Sequence, residues 1–294
     1  ENPLTARVTV NRQWQAFFGR GLVKSLEDFG YQSEAPSHPE LLDWLAVEFV
    51  KQGWSLKKLH KLIVMSATYR QLSQSGQKAP TDPENTLLSH GARFRLDAEI
   101  IRDSALKAAG VLSLKMGGPG VYPPQPASVT TEGTYGSLEW KTSTGPDRYR
   151  RGLYTFAKRT APFAMAATFD GPSGEACLAR RERSNTPLQA LTLLNDEVFL
   201  ECARALGRVI AESPGDVNAK LAALFRRCVT RPPTAAELEK LKRFYESQLG
   251  RLASGELKAA DILPAEKGEG SNEQAAWTAV ARVLLNLDET ITKG

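Results

Sequence analysis

Cysteine, methionine and histidine are scarce, at three residues each in a chain of 294. The cysteines, Cys177, Cys202 and Cys228, are odd in number and far apart. That spacing offers no disulfide framework, no zinc site and no CxxCH attachment for a haem of the c type. Cys202 and Cys228 fall inside apolar helical patterns and read as buried thiols. The histidines, His38, His60 and His90, do not pair with one another or with cysteine at metal-ligand spacing, so no metal site is expected. A P-loop, a glycine fingerprint after a strand, HExxH and a GxSxG elbow are all missing. No stretch of eighteen apolar residues occurs, so no membrane-spanning helix is encoded. Nor is there a block of like charge: 33 acidic residues are dispersed among 38 basic ones for a net +5, and a nucleic-acid partner is not expected. No secretory leader is visible. The chain opens at Glu1-Asn2-Pro3 without methionine, as expected of a piece of a longer polypeptide whose targeting signal lies upstream.

What is present is an ordinary globular composition, 41% hydrophobic and 24% charged, in a chain long enough to bury a core. Helix signals dominate. Leu4–Phe18 reads as a helix with Pro3 in its first turn and Gly19 and Gly21 beyond it. Asn11 and Arg12 inside it read as a solvated face, or as side chains reaching a neighbouring segment. Ser37-His38-Pro39-Glu40 is a capping box for a second helix, and Ser55 caps a third that extends to about Leu72. Residues 73–86 form a polar linker. Asp97 caps a helix that Gly110 closes. From Lys115 to Arg151 glycine and proline forbid regular structure, giving a long loop that is a lid or a tether, with Tyr122, Tyr135 and Trp140 facing a ligand or packed on the helices. Gly152–Lys158 is the clearest strand candidate, through its alternation. Further helices start at Asp196, Asp216, Thr234 with Glu237, and Ser271. The expected fold is mainly α, with about eight or nine helices in an irregular orthogonal bundle, a long Gly/Pro-rich loop and one or two short strands. One domain is expected over residues 1–294: a helical segment over 1–111, an irregular loop-and-strand segment over 112–179, and a helical segment over 180–294.

The densest stretch runs from Arg180 to Asp196, RRERSNTPLQALTLLND. Thr186 is placed as the N-cap, Pro187 at the first helical position and Gln189 at the capping-box position. Arg180, Arg181 and Arg183 precede that helix start, whose free N–H groups favour anions. With Asn185 and Thr186 they form a candidate ligand-binding corner for carboxylate, sulfate or phosphate. The other reading is an internal network in which Glu99, Asp103, Asp170 or Glu175 answers the arginines. Weaker candidates for chemistry are His60, Tyr69, Arg70, Asp103 and Asp170; for His60 the alternative is a satisfied structural histidine.

Several long motifs carry a resemblance. NPLTARVTVNRQWQAFFGRGLV, DFG, SHPELLDWLA, WSLKKLHKLIVMSATYRQ, MGGPGVYPP, RRERSNTPLQALTLLND and ARVLLNLDE occur in that order. In them the chain resembles the planctomycete-specific C-terminal domain of unknown function, found in large cytochrome-associated proteins of Planctomycetes and Verrucomicrobia. The resemblance implies an exported protein, periplasmic or on the cell surface, whose partners are an upstream domain of the same polypeptide and a c-type cytochrome module. Any haem c belongs to that upstream module, not to this chain. The setting implied is use of anionic polysaccharide, with this chain an accessory or substrate-binding module. The alternative is half of an oxidoreductase active site, completed by the upstream domain and coupled to the cytochrome. The resemblance brings no catalytic residues with it.

Overall fold

Local capping signals lay down most of the helices. The computed structural model describes residues 2–73, 82–126, 140–159, 161–263 and 271–294. Among them are twelve α-helices, nine of seven or more residues, and one two-stranded antiparallel sheet, so the protein is mainly helical. The helices are α1 (Pro3–Phe18), α2 (Pro39–Lys51), α3 (Leu56–Met65), α4 (Ala98–Ala109), α5 (Ala164–Thr168), α6 (Pro187–Asn195) and α7 (Glu197–Glu212). They continue with α8 (Val217–Val229), α9 (Ala235–Ala253), α10 (Ala259–Ile262), α11 (Asn272–Leu285) and α12 (Asp288–Ile291). The strands are β1 (Phe94–Arg95) and β2 (Thr292–Lys293). Two compact units result: Glu1–Arg95 with Leu178–Arg180 and Thr292–Gly294, and Leu96–Cys177 with Arg181–Ile291.

In the first unit, α1 and α2 pack through Val10, Trp14, Phe18, Leu42, Leu45 and Phe49, with Leu59 and Ile63 of α3 behind them. Asn2 caps α1 by accepting from the Leu4 N–H, and Gly19 ends it in the left-handed region at φ +77°. Asn11 is not on a solvated face. It is fully buried, its Nδ2 donating to the Val23 carbonyl at 3.0 Å and its Oδ1 accepting from the Val23 N–H at 2.9 Å. Ser37 is not the N-cap of α2 either; His38 takes that position. The Ser37 hydroxyl and N–H both bond the Leu22 carbonyl, so a tertiary acceptor has taken the group that would have capped the helix. Helix α3 stops at Met65, short of Leu72, because Ser66 turns to extended backbone, donates its hydroxyl to the Ile63 carbonyl and accepts the Tyr69 N–H. β1 and β2 pair Phe94 with Lys293 and Arg95 with Thr292.

In the second unit α11 packs along α7, and α8 and α9 close over them. Cys202, Leu206, Leu221, Leu224, Trp277 and Val280 are fully buried at this junction, and Trp277 stacks on Tyr245 at 4.1 Å. Burial pushes the thiols of Cys202 and Cys228 up to about 12, which leaves them inert as nucleophiles. Caps from Asp196, Asp216, Thr234 and Ser271 start α7, α8, α9 and α11.

The stretch Gly152–Lys158 is not a strand. Gly152–Tyr154 is a 3-10 turn, followed by a single parallel bridge between Thr155 and Val121. Its start is fixed from outside, by the Gly152 N–H donating to Asp103 Oδ1 at 2.7 Å, and no longer ladder forms alongside among the described residues. Of the loop aromatics, Trp140 is buried. Its ring lies parallel to Phe163 at 6.0 Å and edge-on to Tyr122 at 5.2 Å, and its Nε1 donates to the Pro123 carbonyl. Tyr135 lies outside the described residues.

Candidate functional site

The start of α4 organises the chemistry of the second unit. Asp97 sits at the N-cap and Glu99 in the first turn, where the helix dipole favours negative charge. Arg181 grips Glu99 with both ends of its guanidinium, Nη1 to Oε2 at 2.6 Å and Nη2 to Oε1 at 3.0 Å. Asp97 lies 4.0 Å from Arg181 and 3.9 Å from Arg183. Burial pushes the Glu99 carboxyl up, but the hydrogen bonds and charge of Arg181 outweigh it and hold the group below its ordinary value. The same pairing raises Arg181.

The rest of the corner is tied down by its own side chains. Asp170, at φ +58°, accepts the N–H and the hydroxyl of Ser184, each at 2.8 Å. Gly171 follows it because an added Cβ would lie 2.7 Å from the Ala166 carbonyl. Gln189 is buried and donates to the Thr168 carbonyl and the Ser184 hydroxyl, while its Oε1 accepts the Thr186 N–H at 3.4 Å. Thr186 is the N-cap of α6 and is exposed, as is Asn185. Arg180 belongs to the first unit, is exposed, and has no ion-pair partner among the described residues.

The other candidates are separated between the units. Asp103 lies next to this corner on α4, holding the Gly152 N–H, with Arg151 Nε at 3.5 Å. His60, Tyr69 and Arg70 fall in the first unit. His60 Nε2 is 2.7 Å from Gln13 Oε1 and its ring meets Phe17 edge-on. Tyr69 packs edge-on to Phe17 and Phe18. Arg70 is exposed and donates to the Ser66 carbonyl at 3.4 Å. Among the described residues no group of three or more His, Cys, Asp or Glu could hold a metal ion. No described helix is long and apolar enough to cross a membrane.

Sequence reasoning reads Arg102 only as an ion-pairing residue that shares a helix face with Glu99 and Asp103, and it overlooks Arg148 and Arg150, which join Arg102 in a second set of arginines. Arg102 is 2% exposed and donates to the Arg150 carbonyl at 2.6 Å and the Arg148 carbonyl at 2.9 Å. Arg150, 1% exposed, donates to the carbonyls of Lys115, Gly117 and Pro119 and lies 3.7 Å under the Tyr154 ring. Arg148 pairs with Glu197 and Glu201 of α7. Residues 115–119 are therefore wound onto one guanidinium, whose residue is anchored by the next. The available signal was a run of arginines (DRYRR) next to a segment whose carbonyls have no regular partners.

Beside α4 opens a cleft of about 220 Å³, with Phe156, Phe163 and Met165 among its apolar walls and Glu99, Lys158 and Arg159 among its charged ones. Arg102 also lines it, and its Nε has no hydrogen-bond partner among the described residues. Burial lowers the pKa of Arg102, against the opposing charge of Asp103. Arg159 is exposed and has no ion-pair partner among the described residues either.

Fold and site together define a mainly helical, two-unit protein with a small, apolar-walled, cation-lined cleft in its second unit. Residues 1–245 match the family model described as PSD1, protein of unknown function (DUF1553), and the chain belongs to that family. No curated protein and no solved structure matches it.

Proposed function

We propose that this PSD1-family chain is a binding module whose second-unit cleft holds one ring of an anionic sugar, carboxylated or sulfated. The observation that carries the reading is Arg102, almost fully buried, lining the cleft and with an Nε that has no hydrogen-bond partner among the described residues. A buried donor without an acceptor costs about 1–3 kcal/mol, and a ligand oxygen placed there would relieve that cost. The charge balance supports an anion: Glu99 is the one carboxylate lining the cleft among the described residues and is already claimed by Arg181, whereas Arg159 is exposed with no ion-pair partner among the described residues. On this reading Arg181 and Arg183 act as struts that hold the Glu99 wall. Phe156 and Phe163 suit the C–H face of a ring. The volume is below the roughly 300–1,000 Å³ of sites that enclose drug-sized ligands, which suits a single ring. The family resemblance supplies the wider setting: an exported protein in which this module serves an upstream domain and a c-type cytochrome during use of anionic polysaccharide.

The test is thermal melting of the chain against glucuronate, galacturonate, a glucose sulfate and glucose. The acidic sugars should raise the melting temperature with concentration while glucose does not. Arg159→Ala, at an exposed and unpaired side chain, should leave the melting temperature alone and weaken binding roughly tenfold, about 1.4 kcal/mol. Equal responses to charged and neutral sugars, or none to any, would overturn the proposal.

A further inference from the structure

In the first unit the side chain of Lys293, on β2, enters a group of aromatic rings. Its Nζ lies 4.4 Å from the centroid of the Tyr69 ring and 5.7 Å from those of Phe18 and Phe94. All three distances are within the range at which a ring face attracts a cation. No carboxylate pairs with Lys293 among the described residues, and burial lowers its pKa. Among the described residues, the ammonium is therefore held by π faces. The rings are also held in place independently of the lysine. Tyr69 meets Phe18 edge-on at 6.0 Å and Phe17 edge-on at 5.7 Å, and Trp14 stacks on Phe18 at 4.2 Å. Phe94 approaches over Gly19, where an added Cβ would lie 2.8 Å from its ring. What holds the lysine itself is slight: β2 pairs with β1 over two residues, and so short a ladder is marginal without further packing.

We infer that Phe18, Tyr69 and Phe94 form a preformed cage for a quaternary ammonium group, which Lys293 occupies as a built-in plug. A trimethylammonium ion presents the same charge as lysine with a larger and more weakly hydrated surface, the form that aromatic cages favour. Such a group could arrive on a small solute or on a lipid headgroup.

The experiment uses Lys293→Ala, with tetramethylammonium and choline as probes and 3,3-dimethylbutan-1-ol as the uncharged analogue of choline. Both ions should raise the variant's melting temperature with concentration, and their N-methyl proton lines should move upfield under the rings. The alcohol should do neither. Wild type should respond at least tenfold more weakly, because its own lysine competes. Tyr69→Leu added to Lys293→Ala should abolish the response. Cosedimentation of the variant with phosphatidylcholine vesicles would assign the headgroup as the source; binding of free choline without cosedimentation would assign a solute. Wild type can also be read directly, by reductive 13C-methylation of its lysines. One dimethylammonium signal should then be shifted upfield by ring currents and should move when choline is added. Equal binding of the uncharged alcohol would overturn the inference. So would a folded Lys293→Ala that ignores both ions, or a methylated wild type with no shifted signal.

Discussion

Asp196 links α6 to α7 and should give the protein a measurable pH dependence. Its carboxylate caps α7 by accepting the Val198 N–H at 3.0 Å. Burial pushes the carboxyl from its ordinary 3.8 up to about 6, against the pull of the Val198 and Phe199 N–H groups and of Arg102, while Glu197 adds to the rise. A carboxyl that holds its proton more tightly folded than unfolded stabilises the fold in its protonated form. That stability is complete below about pH 3.8 and is lost as pH rises through about 6. A difference of about two pH units corresponds to about 3 kcal/mol. Asp196→Asn keeps the capping oxygen, and asparagine caps as well as aspartate, but it cannot ionise. The stability of the variant minus that of wild type should therefore rise by about 3 kcal/mol between about pH 3.5 and pH 7. Urea unfolding of both proteins at half-unit pH steps measures this, and taking the difference cancels the other titrating groups. A flat difference would refute the reasoning. A falling one would show that Arg102 and the two N–H groups outweigh burial.

Two further substitutions test how each unit is held together. Asn11→Ala removes both partners of the Val23 backbone in the core of the first unit, and at about 1–3 kcal/mol for each group left unsatisfied it should lower the urea midpoint clearly. Gly207→Ala places a Cβ 2.3 Å from Thr278 Oγ1 and 2.8 Å from its backbone N, where α7 meets α11 in the second unit. A loss of about 1–3 kcal/mol is expected in thermal melting, and adding Thr278→Ala should restore only a fraction of it because the backbone contact remains.

Helix ends were legible because capping is a local transaction. Asp97 and Gly110 at the two ends of α4, Asp216, Ser271, and Thr234 with Glu237 each act only on the helix turn beside them. The same local pattern failed at Ser37. The Leu22 carbonyl, fifteen residues away in sequence, bonds that hydroxyl, and no window around the helix start contains it. At Asn11 the second of two readings holds: the side chain reaches a neighbouring segment, and nothing local chose between that and a solvated face until the chain brought Val23 against it. Alternation at 152–158 looked like a strand because periodicity reports side-chain placement, whereas a ladder also needs a partner, and among the described residues Val121 alone bridges to it. The cleft was not legible at all, since it joins α4 to residues 152–174 and exists only once Arg102 and Phe163 face a common space.

The two arginine groups show why charge is easier to find in a sequence than to interpret. Arg181 and Arg183 stood out beside a helix start, and two destinations for them could be named; the geometry pairs them with Glu99 and Asp97, more than eighty residues away. Arg102 read only as an ion-pairing residue on a helix face with Glu99 and Asp103, and Arg150 drew no notice, yet each meets more than one backbone carbonyl. A guanidinium carries five N–H donors in a rigid plane and accepts nothing. A Gly/Pro-rich segment has the opposite need, since it forms neither helix nor ladder and its carbonyls still require donors wherever water is shut out. An arginine within reach of such a segment is therefore its natural partner, and Arg150 meets the carbonyls of Lys115, Gly117 and Pro119 in that way. The pairing leaves a residue of chemistry behind. With each terminal nitrogen donating to a carbonyl, of Arg150 and of Arg148, Arg102 keeps an Nε with no hydrogen-bond partner among the described residues, and the same packing that buries it makes it a piece of the cleft wall.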